Sequence, residues 1–284
     1  MFRRNMIGGL LLVIAMAVPL DAQWVNYRNP STPLTRDGKP DLSAPVPKAA
    51  DGKPDLSGMW RILPTPIEEL TRLFGPDIAS GGALGDDPAT FSKYVFNITS
   101  DFKPQDDPVR PEGAAILQRR LPDFSRDIPT TKCLPAGIPL SMLLPIPFKI
   151  VQTRGLTLML FEGDQTLRQI YTDGRKPPSD PFPLWLGYSL GKWEGDTFVV
   201  DTTGFNDKSW LDGGGHPHSE ALHTVERFRR RDFGHMDVQV TIDDPKMYTK
   251  PFTIAFTEIL QPDTDYLESF CAENERDRTH MVGK

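Results

Sequence analysis

The chain has 284 residues, a formal net charge of −6 at neutral pH, 25% charged residues and 38% hydrophobic ones. That mildly acidic balance argues against nucleic acid or an anionic membrane surface as the main partner, and the composition is that of a globular body. The 28 prolines stand well above the usual ~5% of residues and imply many ordered loops.

The N-terminus reads Met1-Phe2-Arg3-Arg4-Asn5, then an apolar run from Met6 to Leu20, then Asp21-Ala22-Gln23. A basic start, a short apolar stretch and a small residue at the cut predict a signal peptide over residues 1–22. The run contains Gly8-Gly9 and falls short of the roughly 20 apolar residues of a spanning helix. The expected location is therefore periplasmic or secreted, with no stable membrane insertion after cleavage. In an oxidising compartment Cys133 and Cys271 are a candidate disulfide; two buried free thiols are the alternative. Neither has the spacing of a zinc or redox motif.

Residues 23–56 read as an extended, proline-rich arm carrying a repeat, Asp-Gly-Lys-Pro-Asp-Leu-Ser, at 37–43 and again at 51–57. A single domain follows over 57–284, opening on a strand at Gly58-Met59-Trp60-Arg61-Ile62-Leu63. Residues 64–132 read as an insertion of loops with two small helices, one from Pro66 with acids in its first turn and one from Pro111 ending on Arg119-Arg120. Both are expected outside the main sheet. Beyond Cys133 the hydrophobic period is two, with strands at 148–152, 157–161, 167–172, 188–193, 197–202, 222–230, 235–243, 252–260 and 266–271. Glu162-Gly163-Asp164 and Glu194-Gly195-Asp196 echo each other as tight turns with glycine at positive φ. The fold class that follows is mainly β, an antiparallel up-and-down meander. Closing it into a barrel removes its unpaired edges.

Gly58-x-Trp60 resembles the opening strand of lipocalin-like (calycin) barrels, which implies that the tryptophan plugs a closed barrel end. A wider set comprises Pro54-Asp55-Leu56-Ser57-Gly58-x-Trp60, Cys133-Leu134-Pro135-x-Gly137-x-Pro139, Lys149-Ile150-Val151-Gln152-Thr153, Trp193-Glu194-Gly195-Asp196-Thr197, Gly204-Phe205-Asn206-Asp207, Trp210-Leu211-Asp212 and Pro217-His218-Ser219-Glu220. Together these are similar to a large group of exported soil-bacterial proteins of unassigned activity; the resemblance implies fold and export, not chemistry. Lys176 stands where that group is expected to carry a histidine before proline.

Chemistry concentrates between Gly204 and Arg227, where His216, His218 and His223 fall within eight positions. In extended backbone His216, His218 and Glu220 share a face, so one reading is a metal site. A second, preferred for the site itself, needs no metal: His218 as general acid or base, with Glu220, Glu226 or Asp207 orienting it. Trp185, Tyr188 and Trp210 would stack on a ring-shaped substrate, with Asp212 and Arg227 as polar contacts. In the plain structural alternative these residues cap turns and pair across strands. No Gly-x-Ser-x-Gly elbow, P-loop, Rossmann fingerprint or haem motif occurs, so no cofactor is expected. The expected function is binding of, or lyase, isomerase or hydrolase action on, a small apolar or aromatic molecule in the barrel cavity. A non-catalytic periplasmic carrier or envelope interaction protein is the alternative, and the residues leave enzyme and carrier open.

Overall fold

The computed structural model describes residues 29–80, 90–121 and 127–271; the expected signal segment lies outside them. Nine strands form one closed barrel in chain order: β1 Gly58–Ile62, β2 Phe148–Thr153, β3 Leu156–Phe161, β4 Leu167–Tyr171, β5 Tyr188–Glu194, β6 Thr197–Thr203, β7 His223–Arg230, β8 His235–Asp243 and β9 Phe252–Leu260. The expected mainly β barrel is thus present. Alternation builds it: Met236, Val238, Val240 and Ile242 of β8 are buried, as are Thr224, Glu226, Phe228 and Arg230 of β7, while the residues between them are more exposed. Residues 266–271 form no strand; the ring closes instead between β1 and β9, with Trp60 opposite Leu260.

Nine is an odd number, and a closed ring with an odd number of strands cannot be antiparallel throughout. The exception is β4 with β5, which pair in parallel through only two residue pairs, Ile170 with Ser189 and Tyr171 with Leu190. A crossover at residues 172–187 carries the chain from the end of β4 back to the start of β5. The two echoed turns also differ. Gly195 takes the expected positive φ of 62° in the β5–β6 hairpin, but Gly163 does not; the longer β3–β4 reversal places Gln165 at φ 52° instead.

At one barrel end Trp60 is fully buried, its Nε1 donates to the Leu56 carbonyl at 2.9 Å, and the Arg230 guanidinium lies 5.0 Å above its ring. Arg230 also donates to the Asp55 and Phe233 carbonyls. The arm straps this end: the N–H groups of Phe233 and Gly234 each donate at 2.7 Å, to the Ala44 and Leu42 carbonyls. Its two repeats fold alike, with Thr35 N donating to Lys39 O at 2.9 Å and Ala49 N to Lys53 O at 2.8 Å, around Gly38 at φ 79° and Gly52 at φ 78°.

The opposite end carries the β6–β7 loop (204–222) and the β8–β9 connection (244–251). The inserted segment also lies here. It holds the helices α1 Ile67–Phe74, α2 Lys93–Phe96 and α3 Pro111–Arg120, and a short α4, Leu140–Leu143, follows it before β2. It packs on this barrel end from outside the sheet. Phe91, Tyr94, Val95 and Ile98 are buried in the common core, Ile98 N donates to Asp212 at 2.6 Å, and Arg110 N donates to the Met247 carbonyl at 2.8 Å. Cys133 and Cys271 are bonded, with Cα atoms 5.5 Å apart. Among the described residues no helix is long and apolar enough to cross a membrane.

Two ionisable features sit inside the wall. Arg168 of β4 and Glu226 of β7 form an ion pair with side chains only 1% and 0% exposed. The guanidinium is fully partnered: Nε to Ser189 Oγ at 3.1 Å, Nη1 to Glu226 Oε1 at 2.9 Å and to Met159 Sδ at 3.8 Å, Nη2 to Thr202 Oγ1 at 2.9 Å and to Glu226 Oε2. Glu258 of β9 is the contrast: fully buried, with neither carboxyl oxygen partnered. Burial pushes its carboxyl well above the ordinary range, so it is held as the neutral acid. A carboxyl with a raised folded-state pKa favours folding at low pH, and that contribution is lost as pH rises above the ordinary range. Glu258→Met is therefore expected to raise stability by about 1–3 kcal/mol at pH 8 and by much less at pH 4. Urea unfolding of both proteins at the two pH values checks this; a variant no more stable at pH 8 contradicts it.

Candidate functional site

The site grows out of the β6–β7 loop, whose segment 216–219 is clamped from several sides. Asp212 accepts from His216 N at 2.9 Å, His216 Nδ1 at 2.6 Å and Ile98 N at 2.6 Å. The Tyr248 hydroxyl donates to the Pro217 carbonyl at 2.9 Å. Asp244 accepts from Ser219 N at 2.5 Å and from Ser219 Oγ at 2.9 Å. Burial works against a charge on His216, but the Asp212 carboxylate lifts its pKa above the ordinary value.

Between these clamps His218 is 3% exposed. Its Nδ1 lies 3.2 Å from the Ser219 carbonyl oxygen and its Nε2 lies 2.7 Å from Ser209 Oγ. A carbonyl only accepts, so the network assigns the proton to Nδ1 and leaves Nε2 as the acceptor of the Ser209 hydroxyl proton. Burial holds the imidazole below its ordinary pKa, and the nearby Arg120 charge acts in the same direction, so the ring is neutral at neutral pH. Phe205 packs edge-on, with ring centroids 6.0 Å apart. Ser209 itself is 1% exposed beneath Gly137, whose φ is 83° and where an added Cβ would fall 2.3 Å from Ser209 Oγ. Glycine is thus required at 137 for the Cys133–Pro139 stretch to reach the serine.

His218 lines a cavity of about 590 Å³ between α3 and the two loops, together with Ser219, Pro217, Ile116, Arg119, Arg120 and Met247. Asp207 and Glu220 line it as well, both exposed. Glu220 points to Lys246 at 3.3 Å rather than to His218.

The other candidates are placed elsewhere. Glu226 cannot orient His218: it lies inside the barrel on Arg168, and the group that fixes the imidazole is a backbone carbonyl. Asp212 spends its oxygens holding the loop. Trp210 is 2% exposed and is covered by Arg120, 4.5 Å from its ring, so it offers no free face for stacking. Arg227 is half-buried and bonded to Glu194 at 3.0 Å, away from the cavity. Trp185 and Tyr188 come together, but in a second groove of about 340 Å³ with Tyr171, Leu184, Leu186 and Pro135. The Tyr171 and Tyr188 rings stack there at 5.3 Å. The metal constellation does not assemble: His216 is on Asp212, His218 on Ser209 and Glu220 on Lys246, while His223 bonds Asp201 at 3.2 Å. Among the described residues no group of three His, Cys, Asp or Glu could hold an ion. Ser209 and Arg120 were not singled out by sequence; the first carries no motif and the second reads as an ordinary last-turn arginine. No protein-family model, curated protein or solved structure matches the chain.

Proposed function

We propose that the protein is a small-molecule hydrolase in which Ser209 is the nucleophile and His218 the general base. The observation that supports this is the Ser209 Oγ–His218 Nε2 hydrogen bond at 2.7 Å, on a ring whose other nitrogen is fixed by the Ser219 carbonyl. A nucleophile within reach of a base, and a base oriented by a third group, is the arrangement nucleophilic catalysis requires. In the reaction Oγ forms a bond to an ester carbonyl carbon as its proton passes to Nε2. The imidazolium returns that proton to the departing alcohol as the C–O bond breaks. Water, deprotonated by the same nitrogen, then cleaves the acyl-serine and regenerates the hydroxyl. A neutral His218 suits the first step, and His218 lines the cavity that would take a small substrate; Ser209 is buried and is not on that cavity's wall.

Treatment of the full-length protein with a fluorophosphonate is expected to give one phosphonylated residue, Ser209, by peptide mass spectrometry. His218→Ala should slow labelling, and Ser209→Ala should slow hydrolysis of 4-nitrophenyl acetate, each by about 10²-fold or more. Labelling should persist below neutral pH and fall only as His218 is protonated at its depressed pKa. A parent protein unlabelled at Ser209, or Ser209→Ala hydrolysing as fast as the parent, overturns the proposal.

The Trp185–Tyr188 groove supports a second reading, a carrier of a neutral aromatic molecule. An inert Ser209, together with saturable quenching by 1-naphthol that is lost in Trp185→Ala, would put that reading in place of the first. On either reading we take the setting to be outside the cytoplasm, as the N-terminal segment and the exported soil-bacterial proteins it resembles suggest; the disulfide supports this.

A further inference from the structure

Arg120 closes α3, and a last-turn arginine ordinarily answers the helix dipole from solvent. This one turns inward. Its guanidinium lies over the Trp210 ring at 4.5 Å, and Nη1 donates to the Gly215 carbonyl at 2.8 Å. Gly215, at φ 99°, leaves it room: an added Cβ would meet Arg120 Cβ at 3.3 Å and Cδ at 3.4 Å. An aromatic floor and a glycine wall therefore hold the group in one orientation.

No described carboxylate is bonded to it: Asp212, whose charge acts on it, holds His216 and Ile98 N. The cavity's carboxylates are engaged or remote: Glu220 bonds Lys246, Asp127 bonds Lys132, and Asp207 is exposed without bonding Arg120. Burial pulls the guanidinium pKa down to about 10, and the Asp212 charge offsets this only in part. Of its five N–H groups, one reaches a described acceptor; the Nε–Nη2 edge has none, and Arg120 lines the cavity. That edge has the two parallel donors that match a carboxylate. Ile116, Met247 and Pro217 supply apolar surface in the same cavity, and His218 is also on its wall.

We propose that this cavity binds a small organic carboxylate, its two oxygens on the Nε–Nη2 edge of Arg120 and its apolar body against Ile116, Met247 and Pro217. Joined to the hydrolase reading, on which this extension rests, the substrate class becomes an ester that carries a second, free carboxylate.

Calorimetric titration of the full-length protein with benzoate, benzamide and inorganic phosphate tests the site. Benzoate is expected to bind saturably, benzamide about tenfold more weakly or worse, and phosphate more weakly than benzoate. Arg120→Gln should lose about tenfold or more in benzoate affinity. Arg120→Lys, which keeps the charge and the stem but not the paired donors, should also bind more weakly and serves if the glutamine variant does not fold. Absence of saturable benzoate binding, equal affinity for benzamide, preference for phosphate, or an unchanged affinity in the arginine variants overturns the proposal. The same titration on Ser209→Ala separates the two readings. Benzoate binding there with Ser209 inert to fluorophosphonate in the parent leaves the anion site standing and removes the hydrolase; labelling at Ser209 without benzoate binding does the reverse.

Discussion

Glu226→Ala is expected to lower the unfolding free energy by about 3–5 kcal/mol, because it strands the Arg168 guanidinium inside the barrel. Both side chains are sealed from solvent, at 1% and 0% exposure, and every N–H of Arg168 has its acceptor. Removing the carboxylate takes away two of those acceptors and the only counter-charge bonded to the guanidinium. Replacing both partners is a different experiment. Arg168→Met with Glu226→Leu leaves no buried charge and is expected to cost far less than the single change, or to stabilise. Urea unfolding of Arg168→Met, Glu226→Leu and the double variant completes the cycle. A Glu226→Ala loss below about 1 kcal/mol would mean that water reaches the pair. A collapse in stability without a specific change in labelling at Ser209 would also place Glu226 in the wall rather than in the chemistry.

Removal of the disulfide should cost nearly as much. The Cys133–Cys271 bond spans 138 positions in sequence, and closing loops of that order is worth typically about 2–4 kcal/mol, nearer 5 in the chain-entropy account. The expected result for Cys133→Ser with Cys271→Ser is a lower unfolding midpoint with an unchanged far-ultraviolet spectrum. The barrel closes through β1 and β9, which end before the tethered segment. That segment forms no strand and is otherwise held by contacts such as Leu267 N to Glu162 Oε1 at 2.8 Å. An unchanged midpoint would show that the tail contributes nothing to global stability; loss of the β spectrum would show that closure depends on it. Because Cys271 is exposed, reduction of the intact protein tests the same point without mutation.

The wall was legible because alternation is a local property. Met236, Val238, Val240 and Ile242 declare their face within one strand, and the register follows from the short turns. Glu226 shares the inner face with Thr224 and Phe228, but its partner, Arg168, comes from another strand far back in the chain, and no local pattern reports that pairing. Strand direction is not encoded in a period of two, so the parallel β4–β5 pair could not be read. The site was half legible. The stretch from Gly204 to Arg227 stands out by its residue types, with His218 within it. Ser209 is defined by a contact across a folded loop and by the absence of a side chain at Gly137, and no spacing rule reports either. The aromatic residues were found as residue types but could not be sorted: Trp210 is packed beneath an arginine, while Trp185 and Tyr188 face another groove.

The parallel seam also bears on how such a wall could change over evolutionary time. The crossover at 172–187 returns the chain from the end of β4 to the start of β5, against the direction of both, and bridges in parallel to the residues just past β6, at Leu184 and Phe205. Placed between its neighbours, it would be a tenth stave, and every pairing in the ring would become antiparallel. Growth or loss by whole hairpins leaves the number of staves odd and the seam in place. Only a change in the parity of the stave count can remove it, and the crossover already has the direction that an added stave between β4 and β5 would need.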